Sequence, residues 1–188
     1  MIVGIFIFLG IIVAIVILVA LWGVGIYNNL VGLRQGVKNA WAQIDVQLKR
    51  RHDLIPNLVN TVKGYAKHES GTLEAVVAAR ARATSATVPA DQIKAEGELT
   101  AAVSRLLMVT EAYPDLKANA NFTSLQGELS GTEDRIAFSR QAYNDAVTQL
   151  NTGIQTFPAV LFAAMLGFKE EPFFEAPATE KAAPQVQF

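Results

Sequence analysis

Two histidines, a cluster of basic side chains and scattered carboxylates are the groups in this chain from which chemistry could be built. There is no cysteine, so thiol nucleophiles, disulfides and zinc–thiolate sites are excluded. His52 opens the run His52-Asp53-Leu54-Ile55-Pro56, which approaches the H-[DE]-L-x-x-P box of a phospho-accepting histidine with its proline one place too early. No phosphate cradle accompanies it. Neither G-x-x-x-x-G-K-[ST] nor G-x-G-x-x-G occurs, and Gly127 to Gly131 interrupts a helical pattern rather than following a strand. A structural turn is the expected use of this run, with Asp53 capping a helix whose first turn accepts Pro56. A di-iron bundle needs Glu-x-x-His on each of two helices, but the residues three before His52 and His68 are Lys49 and Tyr65. His68-Glu69 lacks the second histidine of H-E-x-x-H. The expectation is no catalytic, cofactor-binding or metal-binding residue, and no enzyme activity.

Lys49-Arg50-Arg51 invites a lipid-headgroup or nucleic-acid reading. On a continuous helix Lys49 lies about 35 Å past Ile26 at 1.5 Å per residue, several Debye lengths from a bilayer surface. A charged helix end, where cations suit the dipole, fits better, with docking of an acidic partner as the alternative. Thr132 and Ser139 fall on an apolar helical stripe, where they either set register between helices or bond back to the preceding turn.

These residues are positioned by an all-α chain. Residues 2–26 are apolar and uncharged, and no Lys or Arg precedes Arg34. A hydrocarbon core about 30 Å thick needs roughly 20 apolar residues, so this run spans, and it lacks the basic start and cleavage site of a signal peptide. The chain is expected to be a single-pass membrane protein. Arg34 and Lys38, the basic residues nearest the span, favour an outside amino terminus and a cytoplasmic bundle, with the opposite orientation left open. Gly10 and Ala14 form a small-xxx-small pair of the kind that lets two spans approach, although Gly and Ala are also common in spans generally.

Beyond the anchor, residues 27–175 read as one helical-bundle domain and 176–188 as a flexible Pro/Ala tail. Leu30, Leu33, Val37, Trp41, Ile44 and Leu48 keep three-four spacing, so the span is expected to continue as a helix to about residue 51. Further helices are predicted over about 53–84, 91–113 (capped by Asp91 and stopped by Pro114) and 121–157, with nothing strand-like. The last repeats from Phe122 through Ile136, Tyr143 and Leu150 for about five heptads. Four helices with short turns predict an antiparallel four-helix-type bundle. Counting passes, the fourth helix ends beside the membrane. Residues 158–168, too short to span, are then expected to form a short apolar helix that either covers the bundle's end or lies on the bilayer.

The formal net charge is −1 but unevenly placed: basic residues dominate 27–82 and acidic residues 83–188. Either the first helices pair with the last inside one chain, or faces of different copies meet.

Three stretches make the chain recognisable: YNNLVGLRQGVKNAWAQIDVQLKRRHDLIPNLVNTVKGYAKHE (27–69), EAYPDLKANANF (111–122), and LQGELSGTEDRIAFSRQAYNDAVTQLNTGIQTFP (125–158) followed by LFAAMLGFKEEPFFEA. Together they resemble the LemA family across most of residues 27–176. The resemblance implies a bacterial or related membrane protein, expected in the inner membrane, with one amino-terminal span and an antiparallel helical bundle, and it does not imply an enzyme.

Taken together, these readings predict a membrane scaffold or membrane-shaping assembly whose partners are the lipid bilayer and further copies of itself. An adaptor recruiting another envelope or signalling protein through the Arg34–Arg51 face or the acidic half is the alternative, and a phosphorelay component is the third. Neither nucleic acid nor a small-molecule substrate is expected.

Overall fold

A computed structural model of the chain describes residues 2–66 and 68–174, with side chains described from Phe6 onward. The proposed tail, 176–188, lies outside the described residues. Every described element is helical: α1 (Ile2–Tyr65), α2 (Ser70–Ser85), α3 (Pro89–Thr110), α4 (Pro114–Lys117), α5 (Ala120–Gln155) and a 3-10 turn at Ala159–Leu161. The first of these is long and apolar enough to cross a membrane.

The predicted break near residue 52 is absent, and α1 runs through it to Tyr65. Asp53 is exposed in mid-helix rather than at a cap. Pro56 has no N–H, so it cannot bond the carbonyl of His52 four residues earlier, a loss that normally kinks or ends a helix. Arg80 of α2 supplies the missing donor: its Nε bonds the His52 carbonyl at 2.7 Å. The orphaned acceptor is thus satisfied from another helix, and α1 continues.

The predicted helix over 53–84 is accordingly divided between the end of α1 and α2. Helix α3 starts at Pro89, with Asp91 in its first turn and no side-chain cap. The fixed φ of a proline at the first helical position takes the place of the cap expected from Asp91. The backbone re-forms a short α4 at Pro114, and Asn119 then caps α5 through Oδ1, which accepts the N–H groups of Asn121 and Phe122 at 2.9 and 3.1 Å. Residues 158–168 are not a continuous helix. After the single 3-10 turn they are held by isolated turn bonds, Ala163 N–H to Ala159 O at 2.8 Å and Phe168 N–H to Ala163 O at 2.9 Å. Gly167 at φ +76° turns the chain, a conformation in which a side chain would be strained.

The described chain divides into two compact units, one of residues 2–41 and 142–173, the other of residues 42–141 and 174. In the second, Ile55, Leu58 and Val62 of α1 bury against Leu73, Val76 and Ala79 of α2, Leu99 and Leu106 of α3, and Phe122 and Leu129 of α5. The alanines on α2 let it approach closely. In the first unit, Leu30 packs with Ala159, Ala163 and Phe168, joined by Ile26, Leu33 and Ile154. Trp41 meets the edge of Tyr143 at 5.3 Å.

Candidate functional site

The second unit is organised around three buried polar side chains. Arg51, Glu96 and His52 are only 1, 0 and 8% exposed. Arg51 belongs to the buried stripe of α1, in phase with Leu48 before it and Ile55 after it, and Glu96 precedes Leu99 by one turn of α3. Their helices therefore aim both charges into the core, where neither is tolerable alone. Arg51 Nη2 pairs with Glu96 Oε2. Its Nη1 reaches Glu133 Oε1 at 2.7 Å and Thr100 Oγ1 at 2.9 Å, and the Thr100 hydroxyl donates onward to the Glu96 carbonyl at 3.0 Å. One guanidinium thereby ties α1 to α3 and α5.

His52 completes the cluster, with Nε2 2.7 Å from Glu96 Oε1. A carboxylate only accepts, so the neutral ring carries its proton on Nε2 and donates it. Burial, then the positive charges of Arg51 and Arg80, lower the His52 pKa from 6.5 to about 4, with Asp53 opposing weakly. At neutral pH the ring is uncharged, because burial and then the neighbouring Arg51 and Arg80 charges disfavour its charged form. The cluster links α1 to α3 and α5, and its histidine gains a proton only in acidic medium.

Of the basic triplet, Lys49 and Arg50 are exposed and Arg51 is buried. Arg50 sits 3.9 Å from Glu128, and Arg82 2.9 Å from Glu98. With Arg51–Glu96 and Arg51–Glu133, these pairs join the basic and acidic halves within one chain. His68 is exposed in the turn before α2, and among the described residues no three His, Asp or Glu side chains gather as a metal site. Thr132 is buried and bonds back to the Glu128 carbonyl at 2.7 Å, while Ser139 is half-buried. Glu96 is the residue that sequence reasoning missed. The available signal was charge falling on two apolar stripes, and the expected break at residue 52 concealed the one on α1.

The first unit carries a different surface. Residues 157–173 fold back along α5 and α1. Asn151 Nδ2 donates to the Glu171 carbonyl and its Oδ1 accepts the Glu171 N–H, both at 2.9 Å. Gln155 donates to Glu170 at 2.8 Å, and the Tyr143 hydroxyl donates to the Pro172 carbonyl at 3.0 Å. Burial, with Glu171 nearby, raises the Tyr143 pKa. The Phe168 ring is buried against Tyr27 at 5.7 Å and beneath the Arg34 guanidinium at 4.9 Å. A side chain at Gly153 would meet Leu33 Cδ1 at 2.8 Å, so glycine lets α5 close on α1. This foot leaves Phe157, Val160, Leu161 and Met165 exposed beside the apolar helix.

Residues 40–188 match the LemA family model. Protein LemA of Metamycoplasma hominis is 27% identical over 159 residues, covering 84% of this chain and 73% of that protein. Magnetosome protein MamQ of Magnetospirillum gryphiswaldense is 25% identical over 191 residues, covering 85% and 70% respectively. Magnetosome protein MamQ 2 of Paramagnetospirillum magneticum is 33% identical over 81 residues, 43% of this chain and 30% of that one. Helical in every described element, with one described helix long enough to cross a membrane, and matched from residue 40 to 188, this chain belongs to the LemA family.

Proposed function

We propose that this chain is a non-enzymatic, single-pass protein of the bacterial inner membrane that self-associates through an antiparallel helical bundle and its anchor, and serves as a membrane scaffold or membrane-shaping assembly. The observation that carries the reading is the join at residues 26–41, where α1 leaves the apolar run with no break in the helix. A tethered enzyme or capture module is served by a flexible linker. A rigid join suits a protein that passes its geometry to the bilayer. Exposed Phe138 on α5 and Met108 on α3, 75 and 66% accessible, offer apolar surface to further copies. Arg34 and Lys38 favour a cytoplasmic bundle.

The adaptor alternative is weakened by the fate of its basic face: Arg51 is buried in the core and Arg34 lies over Phe168. Mass photometry of the full chain in detergent and in lipid nanodiscs tests the proposal, with discrete multimers expected at micromolar concentration. A monodisperse monomer in both media overturns it. Protease access to the bundle in spheroplasts tests the orientation.

A further inference from the structure

The span and the foot share a groove. Val19, Trp22, Gly23 and Ile26 of α1 line one wall, and Phe162, Met165 and Leu166 the other. The level of this groove in a bilayer follows from the length of α1. The apolar run 2–26 is about 38 Å long at 1.5 Å per residue, about 8 Å more than a 30 Å hydrocarbon core. Val19 lies about 10 Å before Ile26 along the axis. Even if all the excess length emerged on the foot's side, Val19 would remain within hydrocarbon, and the residues facing it would sit at the boundary.

The foot is sorted to match. Ala159, Ala163 and Phe168 point inward and are buried, whereas Met165 and Phe157 are 85 and 77% exposed and Val160 and Leu161 about half exposed. Polar groups begin immediately afterwards at Lys169, Glu170 and Glu171, and on α1 at Asn28 and Asn29. Tyr27, ring-edge to Phe168, and Trp22 are placed where amphipathic aromatics sit in membrane proteins. This is a surface with an apolar underside and a charged upper rim, continuous with a spanning helix.

We infer that residues 157–166 are inserted in the leaflet that α1 leaves, and that the groove between Phe162–Leu166 and Val19–Ile26 is occupied by a lipid acyl chain. Continuity with the span argues for lipid as the occupant, because the same groove wall is part of the lipid-crossing helix. The inference rests on the membrane span and not on self-association, so a monomeric protein would leave it standing. An inserted foot on one leaflet only would also add area to that leaflet beside every anchor.

The test uses the full chain with W22F and W41F, reconstituted into phosphatidylcholine vesicles whose acyl chains are brominated near the headgroup end. M165W and V160W, made separately, report from the underside, and D145W reports from higher on α5. The introduced indoles at 160 and 165 are expected to emit at short wavelength and to lose more than half of their intensity to bromolipid, with the one at 145 little affected. Blue-shifted emission without bromolipid quenching means that protein, such as a second copy, covers the foot, and overturns the inference. Red-shifted, unquenched emission means that water does, and overturns it equally. Two independent reporter positions keep the result readable if one variant fails to fold.

Discussion

Replacing Glu96 by Gln tests the account of the buried cluster. The substitution keeps shape but removes the charge that faces Arg51 across the core, where both residues are 1% exposed or less. Breaking a buried pair on one side costs about 3–5 kcal/mol, because the surviving ion is left uncompensated. Glu133 still reaches Arg51 Nη1 at 2.7 Å, but its side chain is 41% exposed, which places the expected loss for E96Q near 3 kcal/mol. With a urea slope of about 2 kcal/mol per molar, the unfolding midpoint falls by about 1.5 M. R51M strands Glu96 instead and should cost about 3–5 kcal/mol. The double variant R51M/E96L removes both charges and should lie near the unmodified protein, or above it, since apolar replacement of buried ion pairs is often neutral or stabilising. Urea titrations of the full chain in mild detergent, followed by circular dichroism, give all three values. If E96Q lies within 1 kcal/mol of the parent, or the double variant shows the sum of the single losses, the pair is not the buried, mutually dependent unit described.

Stability should depend on pH through His52. Above pH 6.5 the ring is neutral in both states, and as pH falls the unfolded chain binds the proton first. Stability is therefore lost between pH 6.5 and about 4 and levels below that, the whole interval amounting to about 3 kcal/mol. In H52Q the urea midpoint should be flatter across that window, and an unchanged slope would count against the assignment. Arg80 and Pro56 should be coupled: R80M should cost about 1.5–3 kcal/mol as a lost charged hydrogen bond, but far less in a P56A background, where the restored N–H takes the His52 carbonyl. Fully additive losses in that cycle would show that Arg80 is not replacing the missing donor. F168A removes the ring packed on Tyr27 and under Arg34 and should cost the foot about 3–5 kcal/mol. Limited proteolysis should then cut between residues 157 and 174, whereas the parent resists.

Much of this was legible in the residues. The apolar run announces a spanning helix, and three-four spacing marks the buried faces of α1 and α5. What could not be read locally is compensation from a distance. Proline and a capping aspartate argued for a break after Arg51, and the donor that cancels the argument lies on another helix at Arg80. Once α1 is continuous, Arg51 falls in step with Ile44, Leu48, Ile55 and Leu58 and must be buried. Its partner Glu96 then follows from the same logic on α3. The apolarity of 158–168 was equally plain, but its backbone was not. A left-handed glycine and the pull of Asn151 and Gln155 on Glu171 and Glu170 favour a folded-back strap over a helical turn. The opposite charges of the two halves were visible, and ion pairs from α1 and α2 to α3 and α5 bring several of them together within one chain.

The unbroken run of α1 through the first unit also fixes how the anchor is turned about its own axis. At 100° per residue, Val19, Gly23, Ile26 and Leu30 fall within about 60° of one another, and this is the side that faces the foot. Gly10 and Ala14 lie about 140–180° around from Gly23, with open space at Gly10. The foot thus gives the span one side that faces its own chain across the groove, and Gly10 and Ala14 lie on the other.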